Sequence, residues 1–490
     1  MSTVNVPRLL VSAAHKSSGK TTVAIGLAAA FAARGLVVQP FKKGPDYIDP
    51  MWLARASGRP CFNLDPYLMT DAEIAASFEG HSADADIAIV EGNKGLYDGL
   101  ALDGSNSNAA LARRLDLPVV LVIDARGMTR GIAPLILGYQ AFDREVRIAG
   151  VILNQLGGAR HESKLRAVIE HYTDVPVLGA IGNDARLETP QRHLGLMPTG
   201  EFDDATAQVR GLGALIGAQV DLDRVLAVAS QSGRCSPAMQ PSAATGPALC
   251  AATRTVAGDA DSTRVRIGIA RDQAFTFYYP DDLAALEAAG ADLVAFDTLH
   301  DAHLPAVDGV FIGGGFPEMF MTELQANATL RGELRGAIDA GLPVYAECGG
   351  LMYLARSIAW NGQTARMVGA LPGDAVMQTR PVGRGYVHLR ELAAHPWPHA
   401  DRGSELRAHE FHHSSLENLA PEVRYAYGVA RGHGVDGSHD GLVYRNVLAS
   451  YAHLRSVGGN AWAARFVAFV RHVGATRVAE PMQLTELMEG

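Results

Sequence analysis

Short runs rich in β-branched residues alternate with longer Ala- and Leu-rich amphipathic runs from Arg8 to about Gly200. This alternation is typical of β-α units that build a mostly parallel sheet. Each apolar run ends on polar or glycine residues, at the edge where open α/β sheets bind their ligands. The predicted strands are Leu9–Ala13, Val37–Lys42, Ile87–Glu91, Val119–Asp124 and Ile148–Asn154.

The periodic pattern stops between residues 229 and 264, where Ser, Ala, Gly, Pro and Thr dominate, which predicts a linker. A second series then begins with a predicted strand at Val265–Ala270 and a helix at Pro280–Ala289. Further strands follow near Asp292–Phe296, Gly309–Ile312 and Pro343–Glu347. The sequence therefore predicts two α/β domains, residues 1–228 and 265–475, with a linker at 229–264 and a tail at 476–490.

Composition narrows the class of ligand. The chain is 48% hydrophobic and 19% charged with a net charge of -9, so it has no global basic field for nucleic acid or anionic membrane. The apolar stretch Pro7–Ala14 is too short to span a bilayer. We expect a cytoplasmic protein that binds small molecules, with a homodimer as one open alternative.

The chain has four cysteines, and their spacing forms neither a disulfide framework nor a CxxC metal pair. They are Cys61, Cys235, Cys250 and Cys348.

A glycine-containing turn joins the first predicted strand to a helix. In the segment His15–Thr22 (HKSSGKTT), backbone amides would wrap phosphate oxygens at the helix N-terminus. Lys20 would reach the β- and γ-phosphates and Thr21 would ligate magnesium. Ala14 departs from the pattern, because GxxxxGK[ST] asks for its first glycine there. The predicted nucleotide-binding residues are Lys16, Ser18, Gly19, Lys20, Thr21, Thr22 and Asn154, the last facing an adenine-type base or capping its turn.

Carboxylates follow the second and third predicted strands. The loop after Lys42 carries Asp46 and Asp49 three residues apart, and Glu91 stands where a Walker B carboxylate would. Turn chemistry could explain either aspartate alone. Because a phosphate loop and two carboxylate-bearing loops share one predicted sheet edge, we predict a magnesium site there, with Thr21, Asp46, Asp49 and Glu91 as candidate ligands.

A cysteine stands at a second strand-to-helix turn. Pro343–Met352 (PVYAECGGLM) predicts a strand, a sharp turn at Cys348 and a helix, which is the nucleophile-elbow arrangement. A helix N-terminus favours the thiolate, the reactive form. Gly314 and Gly349 are the candidate oxyanion donors. The structural alternative is a buried cysteine that packs as a small hydrophobe.

A thiol nucleophile needs a base, and His453 ends the apolar run that begins at Val447. We predict Cys348 and His453 as a catalytic pair. Spacing leaves four other histidines open as alternatives, namely His412, His413, His433 and His439.

These motifs together resemble the cobyrinic acid a,c-diamide synthases, over nearly the whole chain. The resemblance implies an N-terminal P-loop NTPase domain like dethiobiotin synthetase and a C-terminal class I glutamine amidotransferase-like α/β domain. It also implies that ATP, Mg²⁺ and glutamine serve to convert two acetates of a corrin-type macrocycle to acetamides, in cobalamin biosynthesis. The matching stretches are His15–Thr22, Lys42–Asp49, Glu91–Gly99, Gly313–Pro317, Glu347–Leu351, His409–Ser415 and Ser450–His453.

The resemblance also implies roles for single residues. Ordinary class I glutaminases carry a glutamate two residues after the histidine, and here Arg455 stands at that position. A Cys348/His453 dyad is therefore expected instead of a triad. Lys20, Thr21, Asp46 and Glu91 would serve ATP and magnesium, whereas Lys43, Tyr47, Asp49 and Asp98 would face the macrocycle or the acyl phosphate.

Three alternatives compete with this interpretation. Relatives of the family amidate sirohaem, sirohydrochlorin or its nickel complex, and the stretch from Arg431 to Gly441 fits those branches as well. A partitioning-type P-loop switch ATPase would need a signature lysine where His15 stands, and would leave Cys348 without a purpose. A tetrapyrrole-binding module without catalysis would need neither Lys20 nor Cys348.

Overall fold

The computed structural model describes residues 6–184, 191–192, 195–199, 204–232, 264–398 and 405–488. Contacts divide the chain into two compact units, Met1–Pro247 and Ala248–Gly490. Each unit has the predicted α/β class. Residues 233–263 of the predicted linker lie outside the described residues. No helix in the described ranges combines the length and the apolarity that crossing a membrane requires.

The first unit is built on a parallel sheet with strand order β3-β2-β4-β1-β5-β6-β7. Its strands are β1 (Arg8–Ala13), β2 (Val38–Lys43), β3 (Phe62–Leu64), β4 (Ile87–Glu91), β5 (Val119–Asp124), β6 (Ile148–Leu156) and β7 (Val177–Gly182), with a separate pair β8 (Gln191–Arg192) and β9 (Gly195–Leu196). Its helices are α1 (Lys20–Ala33), α2 (Ile48–Ser57), α3 (Asp71–Ser82), α4 (Asn108–Arg114), α5 (Ile132–Phe142), α6 (Ala159–Tyr172), α7 (Ala205–Gln219) and α8 (Leu222–Ala229).

Strand β1 lies between β4 and β5, and all six of its residues are buried. Val11 pairs with Glu91 at the end of β4, and Glu91 also pairs with Lys42 on β2. The loops that leave β1, β2 and β4 therefore meet at one edge of the sheet. This register places the predicted phosphate loop beside the predicted carboxylates.

The second unit is built on a mixed sheet with order β12-β10-β13-β15-β24-β23-β22-β19-β20. The half from β12 to β24 is parallel and the half from β24 to β20 is antiparallel. The strands of this sheet are β10 (Val265–Ala270), β12 (Ala291–Phe296), β13 (Gly309–Ile312), β15 (Val344–Glu347), β19 (Gly383–Glu391), β20 (Glu405–His412), β22 (Arg424–Arg431), β23 (His439–Tyr444) and β24 (Val447–Ser450).

Smaller sheets and helices surround this sheet. Strands β11 (Phe275–Phe277) and β14 (Gly314–Gly315) form one pair, and β16 (Ser357–Trp360), β17 (Gln363–Arg366), β18 (Asp374–Met377) and β21 (Ser414–Glu417) form a four-stranded sheet. The last helix continues past residue 475, where the sequence predicted the end of the domain. The helices are α9 (Pro280–Ala288), α10 (Met321–Ala326), α11 (Ala328–Asp339), α12 (Gly349–Leu354) and α13 (Trp462–Met488), with a 3-10 turn at Pro317–Phe320.

Candidate active sites

The phosphate loop joins β1 to α1. Gly19 directly precedes α1 at a φ of 89°, a left-handed conformation that costs glycine little. A β-carbon there would stand 2.2 Å from Asn154 Nδ2, so glycine is also required by close packing. The backbone φ of Ala14 is not positive, so this position does not require glycine. Alanine can therefore replace the first glycine of the pattern. The loop presents the N-terminus of α1, a ready site for phosphate.

Asn154 holds this loop from strand β6, which lies two strands from β1 in the sheet. Its Nδ2 donates a hydrogen bond to the carbonyl oxygen of Ser18 at 2.9 Å, while the Ser18 hydroxyl donates to the carbonyl of His15 at 2.9 Å. The structure therefore places the Asn154 amide against the phosphate loop. Both of its predicted roles, at an adenine-type base or at a turn, stay predictions.

A buried group of charges lies beside the loop. Glu91 is fully buried, and its carboxylate contacts the Thr21 hydroxyl and lies 3.4 Å from Lys20 Nζ. Lys42 Nζ lies 2.9 Å from Glu91 Oε2 and 2.5 Å from Asp49 Oδ2. Thr21 Oγ1 also donates to Asp49 Oδ2 at 3.4 Å. The carboxylates of β4 and α2 thus converge on one hydroxyl and two ammonium groups.

Electrostatics separates the two aspartates of this site. Burial opposes ionisation of Asp49, but the ammonium groups of Lys42 and Lys20 outweigh it and lower its pKa. Burial and the Asp49 charge raise the pKa of Asp46 to about 6. Although burial acts in the opposite direction, Asp49 and Glu91 raise the pKa of Lys42, so that side chain is charged.

The geometry assigns the two aspartates different partners. Asp46 Oδ1 accepts the amides of Ile48 and Asp49 at 2.9 and 3.1 Å, as a side chain at a helix N-terminus does. Asp49 is the aspartate that contacts Thr21, although the sequence predicted Asp46 as the metal ligand and Asp49 as a substrate residue. Among the described residues, no three His, Cys, Asp or Glu side chains are grouped as in a metal site.

The remaining predicted substrate residues lie on the same loops. The Lys43 side chain is buried, and burial together with the nearby Lys94 charge lowers its pKa to about 8 against the opposing effect of Asp65. Asp98 is exposed, and its Oδ2 accepts the Gly95 amide at 2.9 Å. Tyr47 directly precedes α2.

Cys348 stands between β15 and α12 in a strained backbone conformation. Its φ is 47° and its ψ is -100°, which non-glycine residues rarely adopt. The Cys348 amide donates to the carbonyl of Ser450 at 2.7 Å, and the Cys348 carbonyl accepts the amide of Met352 at 3.1 Å. This is the geometry of a nucleophile elbow.

Gly314 and Gly349, the predicted oxyanion donors, lie close to this cysteine. Gly349 begins α12, and the amide of the next residue, Gly350, donates to the carbonyl of Gly313 at 3.1 Å. A β-carbon on Gly314 would stand 2.6 Å from His453 Cε1, so the glycine strand β14 packs directly against the imidazole ring.

His453 is the predicted base that the structure brings to Cys348. Its backbone pairs with His409, its side chain is buried, and it shares a hydrogen bond with Cys348. Burial lowers the pKa of His453, but hydrogen bonds with Cys348 and Glu347 outweigh burial and raise it to about 10.

The competing histidines have other partners. His412 Nδ1 lies 2.8 Å from the Ser414 carbonyl, His413 Nδ1 lies 3.4 Å from the Gln378 carbonyl, and His439 Nδ1 lies 3.1 Å from Asp436 Oδ2. The His433 ring lies 6.2 Å from the ring of His412.

Sequence reasoning gave no role to Lys42 and Glu347. Both had a signal, because each is a charged residue at the end of a strand predicted from the sequence, next to a residue already singled out. Arg455 was singled out only because it stands where ordinary class I glutaminases carry a glutamate. Its guanidinium pairs with Asp281 and lies 4.5 Å over the Tyr279 ring.

Comparison with known proteins matches both units. Residues 266–461 match a family described as a CobB/CobQ-like glutamine amidotransferase domain, and residues 7–191 match an AAA domain. A Magnetococcus marinus protein named cobyrinate a,c-diamide synthase is 46% identical, covering 96% of this chain and 98% of its own. Proteins of the same name from Methanosarcina acetivorans and Listeria monocytogenes are 43% and 38% identical, covering 92% and 91% of this chain and 93% and 96% of theirs.

Proposed function

The chain belongs to the cobyrinate a,c-diamide synthase family, and on that premise we propose that it amidates the a- and c-acetates of cobyrinate or hydrogenobyrinate through acyl phosphates. The reaction class follows from the family: the protein is a glutamine-dependent carbon–nitrogen ligase of cobalamin biosynthesis that uses ATP. Family membership also leaves no support for a partitioning-type switch ATPase. The cytoplasm, which supplies ATP and glutamine, is the proposed compartment.

One observation carries the proposal. A single chain holds a thiol–imidazole pair at a nucleophile elbow in one unit and a phosphate loop beside buried carboxylates in the other. An enzyme that makes ammonia from glutamine and consumes it at an activated carboxylate needs both sites.

In the glutaminase half, the Cys348 sulfur attacks the side-chain amide carbon of glutamine. His453 takes the thiol proton and delivers it to the departing ammonia, which leaves a γ-glutamyl thioester. Backbone amides at Gly314 and Gly349 stabilise the oxyanion of the tetrahedral intermediate. Water then hydrolyses the thioester and restores the thiol.

In the synthetase half, an acetate oxygen attacks the γ-phosphorus of ATP and ADP leaves. This step is needed because hydroxide is too poor a leaving group for ammonia to displace. Ammonia then attacks the acyl phosphate carbon and inorganic phosphate leaves. Lys20 and the loop amides hold the phosphates and neutralise the charge that develops, with Lys16, Ser18, Gly19 and Thr22 shaping the loop.

The oxygen donors near Thr21 fit magnesium. A hydroxyl and the carboxylates of Glu91 and Asp49 converge there, and hard oxygen ligands are those that Mg²⁺ prefers. Thr21 and Glu91, with Asp49 or Asp46, would hold the ion. When bound, Mg²⁺ neutralises charge on the β- and γ-phosphates.

For the macrocycle, the candidate contacts are Lys43, Tyr47, Asp49 and Asp98. A positive charge at Lys43 suits an anionic tetrapyrrole with free acetates. Sirohaem and nickel-sirohydrochlorin, which are also anionic tetrapyrroles with free acetates, stay the alternative substrates.

The test is mass spectrometry of the products after incubation with cobyrinate, hydrogenobyrinate and sirohaem in turn, with ATP, Mg²⁺ and glutamine. We expect two successive amidations of cobyrinate or hydrogenobyrinate and none of sirohaem. If only sirohaem is amidated, sirohaem replaces cobyrinate as the assigned substrate. If none of the three compounds is amidated, the proposed function is wrong.

A further inference from the structure

A buried glutamate lies directly behind the base of the thiol site. Glu347 ends β15, and its side chain is 3% exposed. Its Oε1 accepts the Tyr345 hydroxyl at 2.5 Å and the Leu454 amide at 2.9 Å. Its Oε2 lies 3.3 Å from His453 Nδ1. The carboxylate is thus fixed by two donors and directs its second oxygen at the imidazole.

This contact decides which ring nitrogen faces the thiol. A carboxylate can only accept, so His453 carries its proton on Nδ1 when it hydrogen-bonds Glu347. The Cε1 atom, which lies between the two ring nitrogens, packs against Gly314 on the strand beside the nucleophile. Nε2 is therefore left as the acceptor for the Cys348 proton.

We infer that Glu347 is a positioning residue of the glutaminase: it fixes the tautomer and the orientation of His453 and stabilises the imidazolium formed when Cys348 loses its proton. The inference rests on the proposed function. It replaces the expected dyad by a Cys348–His453–Glu347 relay, in which the carboxylate comes from the residue before the nucleophile.

The position that carries the glutamate of ordinary class I glutaminases is occupied differently here. Arg455 is buried, with its guanidinium over Tyr279 and paired with Asp281 on the first turn of α9. Leu454, which lies between His453 and Arg455 in the sequence, donates its backbone amide to Glu347. The segment after His453 therefore supplies a donor to the carboxylate instead of the carboxylate itself.

The experiment compares Glu347→Gln with Glu347→Asp, and with Glu422→Gln as a matched change at an exposed turn. An amide at position 347 that keeps the Tyr345 and Leu454 bonds presents its NH₂ to His453 Nδ1 and favours the wrong tautomer. We expect the kcat of glutamine hydrolysis to fall on the order of 10²-fold in Glu347→Gln, with KM for glutamine within about 3-fold. Glu347→Asp should recover part of kcat, and Glu422→Gln should match the wild type.

Two further readouts separate positioning from a loss of structure. Ammonia-supported amidation by Glu347→Gln should equal that of the wild type, which reports separately on the proposed function. Alkylation of Cys348 by iodoacetamide, followed on its peptide, should slow in Glu347→Gln about 10-fold, because an imidazolium partner favours the thiolate. In the His453→Ala background the same change should alter the alkylation rate less than about 2-fold.

Unchanged glutaminase kcat in Glu347→Gln, or an equal effect on alkylation with and without His453, would overturn the inference and leave the proposed function standing. Failure of ammonia-supported amidation in the wild type would instead count against the proposed function.

Discussion

Asn154 Nδ2 donates a hydrogen bond to the carbonyl oxygen of Ser18, 136 residues earlier in the chain. The end of β6 thereby holds the predicted phosphate loop in place. Asn154 also approaches Gly19 so closely that a side chain at position 19 would collide with its amide.

Removing this contact should loosen the loop. Replacing Asn154 by Ala should raise KM for ATP about 3- to 10-fold, because a hydrogen bond is worth roughly 0.5–1.5 kcal/mol. Glutamine hydrolysis in the same variant is the internal control and should not change. If KM for ATP is unaffected but discrimination between ATP and GTP is lost, Asn154 contacts the base rather than the loop.

A second prediction concerns the buried ammonium between the carboxylates. Lys42→Met leaves Asp49 and Glu91 without their shared partner, and breaking a buried ion pair from one side costs about 3 kcal/mol. We expect a lower melting temperature of the first unit that magnesium chloride partly restores. Lys164→Met, at an exposed position of α6, should change stability by less than about 0.5 kcal/mol. Equal melting temperatures for the two variants would contradict this account of Lys42.

A third prediction is a pH dependence of substrate binding. Burial lowers the pKa of Lys43 from 10.5 to about 8, so its positive charge is present below that pH and lost above it. If Lys43 binds the anionic macrocycle, KM for the macrocycle should rise as the pH passes 8. The variant Lys43→Arg stays charged and should show a flat profile over the same range. Identical profiles for both proteins would remove Lys43 from the substrate site.

The sequence predicted most of the parallel framework. The predicted bounds of β4 and β5 agree with the structure, because both strands are uninterrupted apolar runs that end on a carboxylate. The predicted β10 and β13 also agree. The antiparallel strands β19, β20 and β22 were not predicted, since their alternating residues carry many charges and resemble loops. Their positions in the sheet depend on antiparallel pairing between strands that are separated in the sequence.

Within the sites, residue types were predictable but their partners were not. The contact between His453 and Glu347 joins residues 106 positions apart, and no spacing rule indicates it. Likewise Asp46 and Asp49 could be told apart only once the start of α2 was known. Asp46 accepts backbone amides at the start of that helix, whereas Asp49 contacts Thr21.

The most direct test of two cooperating sites is to measure amidation of cobyrinate by Cys348→Ala and Lys20→Ala, each with glutamine and with ammonium as the nitrogen source. The account predicts that Cys348→Ala loses glutamine-supported amidation and keeps ammonium-supported amidation, whereas Lys20→Ala loses both. Amidation from glutamine by Cys348→Ala at the wild-type rate would contradict it.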